Sequence, residues 1–177
     1  FKPVAKAYRV LPSPVRNGTS NVLDNISSLI TIPNNVLQAD FKMAGINTGR
    51  FAINTTIGIL GIFDVAQKMG FPEYEKEDYG QTFGTWGVGA GCYLVLPVIG
   101  PSTVRDTLGS FVNVMGGDPW YNASVNGNNE YLNKDIYFAS KVMTGIDFRA
   151  KNIDSIDNLE KNSIDFYASV RSLYLQD

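Results

Sequence analysis

The chain has 177 residues, a net charge of −2, one cysteine and no histidine. A charge this close to zero gives no general basis for nucleic-acid binding. The lack of histidine excludes Ser-His-Asp and Cys-His catalysis and removes the commonest metal ligand. The single cysteine, Cys92, excludes an internal disulfide. We therefore expect one domain with an ample core, no enzymatic activity, and no metal or cofactor.

Apolar residues recur with a period near 3.6 along most of the chain, which predicts helices. In chain order, the predicted helices are 3–11, 14–32, 40–57, a helical turn or two within 64–70, 101–115, 132–160 and 163–175. A turn is predicted at Pro33-Asn34-Asn35, and a polar loop over 120–129. Because the alternation typical of half-buried strands is nearly absent, the predicted fold class is all-α.

Local signals refine the third and fourth predicted helices. Asp40 is a plausible N-cap for the third helix, and Asp64 for the short helix that follows. The apolar segment 57–63, IGILGIF, is predicted to form a buried turn between them. Arg50 and Asn54 are one helical turn apart, so they are expected to share a face. We also expect Asn54 to be a buried, hydrogen-bonded polar group.

The stretch from Tyr79 to Gly109 differs most from an ordinary soluble sequence. A glycine-dense lead-in, with Gly80, Gly84, Gly87, Gly89 and Gly91, precedes the wholly apolar run 92–99, CYLVLPVI. Pro97 forbids a regular helix through this run, and Gly100-Pro101 turns the chain after it. Since glycine adopts positive φ freely, we predict an apolar hairpin loop hinged by glycines. Eight apolar residues are far too few to span a bilayer, which takes roughly 20 as a helix.

Two explanations of an apolar loop remain open at this point. The loop could be folded into the core, or it could meet an apolar partner such as lipid and move about its glycines. Loops of soluble proteins are normally polar and lie on the surface, so the apolar composition needs one of these explanations.

Arg105 and Asp106 follow the hairpin at a predicted helix start. They could form a salt bridge, with Asp106 also favoured by the helix dipole. Alternatively, Arg105 could bind a lipid phosphate, since a guanidinium binds phosphate through two parallel hydrogen bonds.

Several ordered blocks of this sequence resemble the VacJ/MlaA family of bacterial outer-membrane phospholipid-transport lipoproteins. The blocks are PVAKAYRVLPSPVRNGTSNVLDN, RFAINTTIGILGIFDVA, YGQTFGTWGVGAG, YLVLPVIGPS and VRDTLG, and they span most of the chain. One departure concerns Ala90 and Cys92, where family members often carry prolines. A less rigid hairpin is expected in this chain as a result.

The resemblance implies a ring of helices in the periplasmic leaflet of the outer membrane. Its role would be to take mislocalised phospholipid from the outer leaflet through a channel and pass it to a soluble periplasmic carrier. A trimeric porin is the implied membrane partner. Within that picture Arg50, Asn54, Arg105 and Asp106 are candidates for the lipid path. Family members begin with a signal peptide and a lipidated cysteine, so this chain is expected to be part of a longer protein.

Two other functions remain open on the sequence. One is a soluble helical protein that binds a lipid or small ligand, with the apolar loop folded into its pocket. The other is a structural scaffold that only docks on a porin. Solubility without detergent would distinguish the soluble binding protein from a membrane ring. If the protein is only a scaffold, altering residues 87–101 should leave lipid transport intact.

Overall fold

The computed structural model describes residues 2–96, 100–127 and 132–175 and confirms the all-α class. The first helices are α1 (Lys2–Arg9), α2 (Ser13–Leu37), α3 (Phe41–Thr56), α4 (Val65–Lys68) and α5 (Tyr79–Thr85). The hairpin strands β1 (Tyr93–Leu96) and β2 (Gly100–Thr103) lead to α6 (Val104–Val112) and a π-helical turn, Asn113–Gly117. Then follow α7 (Pro119–Tyr121), a second π-helical turn at Asn122–Asn126, α8 (Lys134–Lys151), α9 (Ile153–Asn162) and α10 (Phe166–Tyr174).

The contacts between elements close on themselves, as a ring-like arrangement requires. Helix α2 packs on α5, α5 on α6, and both α6 and α10 pack on β2. Helix α10 then contacts α9, α9 contacts α8, and α8 returns to α2. A small apolar cluster, Ala5, Tyr8 and Ala150, joins α1 to α8. None of the helices in the described ranges is both long enough and apolar enough to cross a membrane.

The predicted hairpin is confirmed. Strands β1 and β2 pair antiparallel, with Tyr93 opposite Thr103 and Val95 opposite Pro101. The predicted helix over 101–115 is wrong at its start, because pairing with β1 holds Pro101 in a strand. Helix α6 begins only at Val104, where the Thr103 hydroxyl accepts a hydrogen bond from the Asp106 amide.

The predicted turn at Pro33-Asn34-Asn35 is also wrong, because these residues continue α2 to Leu37. Tertiary hydrogen bonds to the two asparagines explain the difference. The amide of Asn34 donates to the Ile30 carbonyl, one turn earlier, and its oxygen accepts from the Thr82 hydroxyl at 2.6 Å. The oxygen of Asn35 accepts from Asn47 on α3 at 2.8 Å. These partners outweigh the local turn preference of the sequence.

Two predictions in the second half need correction. The single helix expected over 132–160 is two helices, because Asn152 ends α8 by donating its side-chain amide to the Phe148 carbonyl. The polar loop expected over 120–129 is helical as far as Asn126. Its start is fixed by Asp118, whose carboxylate accepts from the Trp120 amide and so caps α7.

The prediction of a buried turn at IGILGIF is wrong as well. The large side chains of this segment are mostly exposed, with Leu60 at 70%. Ile59 and Leu60 both adopt left-handed backbone, with φ of 53° and 56°, which directs the chain around Gly58 and Gly61. The backbone groups of this segment form hydrogen bonds with one another and with the end of α3, such as the bond from the Gly61 amide to the Asn54 carbonyl.

Candidate functional site

Many polar side chains of this protein are buried and many large apolar ones are exposed, in contrast to an ordinary soluble protein. The largest of the fully buried side chains described are all polar: Asn34, Asn47, Thr31, Thr82, Thr103 and Asp118. Large apolar side chains are widely exposed, including Phe41, Phe63, Phe111, Met115, Phe138, Phe148 and Ile164. Soluble proteins bury such groups, and extensive apolar exposure marks contact with lipid or a partner. The surface therefore offers many contacts to an apolar medium or partner, while much of the interior is polar.

The polar interior is built largely on one face of α2. Ser20, Asn25, Ser28 and Thr31 are buried on this helix at spacings of three to five residues. Thr31 shares a hydrogen bond of 2.7 Å with the Tyr74 hydroxyl, beyond the end of α4. Each such bond stabilises a polar group that would be costly to bury alone.

A polar cavity of about 480 Å³ lies between α5, α6 and the end of α10. Its lining residues come from four parts of the chain: Asp78, Gln81, Ala90, Thr103, Arg105, Asp106, Tyr174 and Leu175. The structure therefore brings the predicted pair Arg105 and Asp106 to a cavity beside the hairpin.

Two glycines allow the walls of this cavity to meet. A Cβ on Gly109 of α6 would lie 2.5 Å from the amide nitrogen of Gly80 in α5. A Cβ on Gly80 would lie 2.6 Å from a carboxylate oxygen of Asp106. Helices α5 and α6 are therefore in backbone contact, and this places Asp78 and Gln81 opposite Arg105 and Asp106.

Arg105 and Asp106 form the salt bridge that the sequence left as one alternative. The Nε of Arg105 donates to Oδ1 of Asp106 at 3.2 Å, and the Tyr174 hydroxyl donates to Oδ2 at 2.6 Å. The two terminal nitrogens of Arg105 have no hydrogen-bond partner in the described part of the chain. One of them, Nη1, lies over Gly84, where a Cβ would be only 2.7 Å away.

Burial and the hydrogen bond between Asp106 and Tyr174 shift the pKa values of both groups. Desolvation raises the pKa of Asp106, but hydrogen bonds from Tyr174, Thr103 and Arg105 outweigh it, so the pKa lies below its usual value. Desolvation and the bond to Asp106 raise the pKa of Tyr174 well above its usual value. At neutral pH Asp106 is therefore ionised, and Tyr174 keeps its proton.

Sequence reasoning missed Asp78, Gln81 and Tyr174 as parts of this cavity. A local signal existed for the first two: Asp78 and Gln81 form a capping box at the start of α5, with each side chain bonded to the other's backbone. Tyr174 carries no such signal, because it is 68 residues from Asp106 and meets it only in the fold.

The hairpin glycines differ in what their backbone requires. Gly87, Gly91 and Gly100 have positive φ, at 88°, 71° and 95°. Gly89 does not, and a Cβ there would meet no atom within 4 Å. The predicted hinge residue Pro97 lies outside the described residues.

Arg50 and Asn54 share a face, as predicted, but they lie apart from the Arg105 cavity. Arg50 Nη2 donates to Oδ2 of Asp64 at 2.6 Å and Nη1 to the Pro72 carbonyl, also at 2.6 Å. The Asn54 amide donates to Oδ1 of Asp64 at 3.0 Å, so Asn54 is buried and bonded as expected. Desolvation raises the pKa of Asp64, but the bonds from Gln67, Asn54 and Arg50 leave it below its usual value. Asp64 also caps α4, as predicted.

Fold and site together define a helical protein with an apolar exterior and a polar interior cavity. The MlaA lipoprotein family model matches residues 1–177, and the chain belongs to this family. It is 34% identical over 179 residues to the intermembrane phospholipid transport system lipoprotein MlaA of Escherichia coli, covering 99% of this chain. It is also 34% identical over 174 residues to an uncharacterised protein of Rickettsia bellii, covering 97% of this chain.

A solved structure gives the same result at the level of the fold. That structure comes from work on the structural basis for maintenance of bacterial outer membrane lipid asymmetry. It matches with a TM-score of 0.81 and 33% identity over 99% of this chain and 84% of the other. The chain spans 64% of the Rickettsia protein and 66% of the Escherichia coli protein.

Proposed function

We propose that this chain is the lipid-conducting part of an outer-membrane lipoprotein that removes mislocalised phospholipid from the outer leaflet. The observation that carries the proposal is the reversed polarity, in which apolar side chains such as Phe111 face outward and polar ones such as Asn34 are buried. A protein that surrounds a hydrophilic path within lipid needs this distribution, because a polar group placed in an apolar medium without a partner costs free energy.

The polar cavity is the proposed place where a headgroup enters the protein. Arg105 presents its terminal nitrogens without a partner in the described ranges, and such a pair binds a phosphate through two hydrogen bonds. The hairpin beside it would act as a gate that turns about Gly87, Gly89, Gly91 and Gly100, with Pro101 stiffening β2. Pro97 remains a proposed hinge residue from the sequence alone. We also retain Arg50 and Asn54 as proposed members of the lipid path, through their network with Asp64.

The proposed partners follow from the family and not from any contact in the structure. They are phospholipid, a trimeric outer-membrane porin and a soluble periplasmic lipid carrier. The chain would lie in the periplasmic leaflet, held by a lipid anchor in the full-length protein. No reaction on the lipid is needed, because the protein offers only a path.

A complementation experiment tests the proposed function. The full-length protein carrying this chain is expressed in a bacterium that lacks its own family member, and phospholipid in the outer leaflet is measured together with outer-membrane permeability. Wild-type protein should restore the barrier, and Arg105→Gln should not, at equal protein level and equal melting temperature. Full restoration by Arg105→Gln would contradict the role of the cavity.

A crosslinking scan tests the porin separately. Photoreactive residues placed along 110–160 should trap a porin at some positions of this segment. If no position yields a porin adduct in correctly localised protein, the porin proposal fails.

A further inference from the structure

We infer that the cavity selects zwitterionic aminoalkyl phosphodiester headgroups over anionic ones. This inference rests on the proposed function and names the class of lipid that its site would take. It follows from the charges that line the cavity, from the short separation of two of them, and from the donors that remain unoccupied.

The formal charges of the lining residues leave the cavity negative. Asp78 and Asp106 each contribute one negative charge, and Arg105 contributes one positive charge. A monoanionic phosphodiester would raise the excess to two negative charges. A headgroup that also carries an ammonium leaves the excess at one negative charge, and like charges brought close together repel each other.

The two carboxylates are close enough to act on one ammonium group. From the Cβ position built on Gly80, Oδ1 of Asp106 lies 2.6 Å away and Oδ1 of Asp78 lies 3.2 Å away. These two oxygens are therefore at most about 5.8 Å apart, the sum of the two distances. An ammonium that approaches from the cavity, on the side away from the Gly80 backbone, would be within a few ångströms of both carboxylates, where opposite charges interact strongly.

The arginine is oriented for the other half of the same headgroup. Its Nε donates a hydrogen bond to Asp106. The same carboxylate accepts a second hydrogen bond, of 2.6 Å, from the Tyr174 hydroxyl on α10. Because Gly84 has no side chain, Nη1 of Arg105 fits against α5 at this position. The terminal nitrogens thus remain for a phosphate, while the carboxylates lie beside them for the amine. Positive and negative groups of the cavity are adjacent, as they are in the headgroup.

The test compares two lipids on one protein. Short-chain phosphatidylethanolamine and phosphatidylglycerol are titrated separately into the chain in mild detergent, and bound lipid is counted by native mass spectrometry. The wild-type protein should bind phosphatidylethanolamine about tenfold more tightly, a difference of about 1.4 kcal/mol. Asp78→Asn should bring the ratio close to one, and asparagine is also a good N-cap, so α5 should remain folded.

A matched control removes the same charge from a distant N-cap. Asp40 caps α3 by accepting from the Met43 amide and does not line the cavity, so Asp40→Asn should keep the tenfold ratio. Equal affinities, or tighter phosphatidylglycerol, in the wild-type protein would overturn the inference and leave the proposed function standing. Binding of neither lipid would overturn both. Equally tight binding of soluble glycerophosphoethanolamine would overturn the assignment to a lipid.

Discussion

Replacing Gly109 with alanine should push α5 and α6 apart. The added Cβ would lie 2.5 Å from the amide nitrogen of Gly80, 2.9 Å from its Cα and 3.0 Å from the carbonyl carbon of Tyr79. All three are backbone atoms, which cannot turn aside as a side chain can. The methyl group can be accommodated only if one helix moves away from the other.

The size of the effect follows from two opposing contributions. Overpacking a close contact costs roughly 1–3 kcal/mol, while alanine in place of glycine within a helix recovers up to about 1 kcal/mol. We therefore expect Gly109→Ala to lower the free energy of unfolding by about 1–2 kcal/mol. In a chain of this size that corresponds to a fall of about 2–8 °C in melting temperature.

Gly45 supplies the matched control. It lies within α3, is exposed, and a Cβ there would meet nothing within 4 Å. Gly45→Ala should therefore raise the melting temperature by a few degrees, from helix propensity alone. Both variants are melted in the same detergent and followed by circular dichroism at 222 nm. The close packing of α5 on α6 would be refuted if Gly109→Ala melted with or above Gly45→Ala.

Further expected outcomes concern single groups. Gly91→Ala should destabilise the protein by about 1–2 kcal/mol, since its φ is 71°, while Gly89→Ala should not; equal melts would show that the positive φ is unimportant. Arg50→Met should lower the free energy of unfolding, measured with denaturant, by about 3 kcal/mol, because it leaves the partly buried Asp64 carboxylate without its ion pair. A decrease of less than about 1 kcal/mol would contradict this expectation. The pKa of Asp64 is lowered in the folded state, so its ionised carboxylate stabilises the protein above the usual aspartate pKa of about 4. This contribution is lost as the pH falls through the lowered pKa. In Asp64→Asn, the free energy of unfolding should therefore fall less steeply on acidification than in the wild type. Desolvation raises the pKa of Tyr74 to about 12, so Tyr74→Phe should remove one late step from an absorbance titration in alkali and leave the other steps unchanged.

Features that depend on neighbouring residues could be predicted from the sequence. Asp40 and Asp64 were predicted as N-caps because the cap and its amide are three residues apart. Arg50 and Asn54 were placed on one face because four residues make about one helical turn. The hairpin followed from Pro97 and the glycines around an apolar run that is too short to span a bilayer.

Features that depend on distant partners could not be predicted. Asn34 and Asn35 remain helical because of side chains on other helices, and Tyr174 reaches the cavity across 68 residues. Periodicity also shows which residues share a face, but not what that face contacts. Phe41, the first residue of α3, is apolar, yet 69% of it is exposed.

The central claim is that phospholipid enters the polar interior, and a lipid crosslink inside the cavity tests it most directly. A photoreactive residue at Ala90, which lines the cavity, is activated in cells whose phospholipids carry labelled phosphate. A second probe at the exposed Phe111 reports lipid outside the protein. We predict labelled lipid at both positions, with the Ala90 adduct lost and the Phe111 adduct kept in Arg105→Gln. Labelled lipid at Phe111 alone, in protein that restores the membrane barrier, would contradict the account.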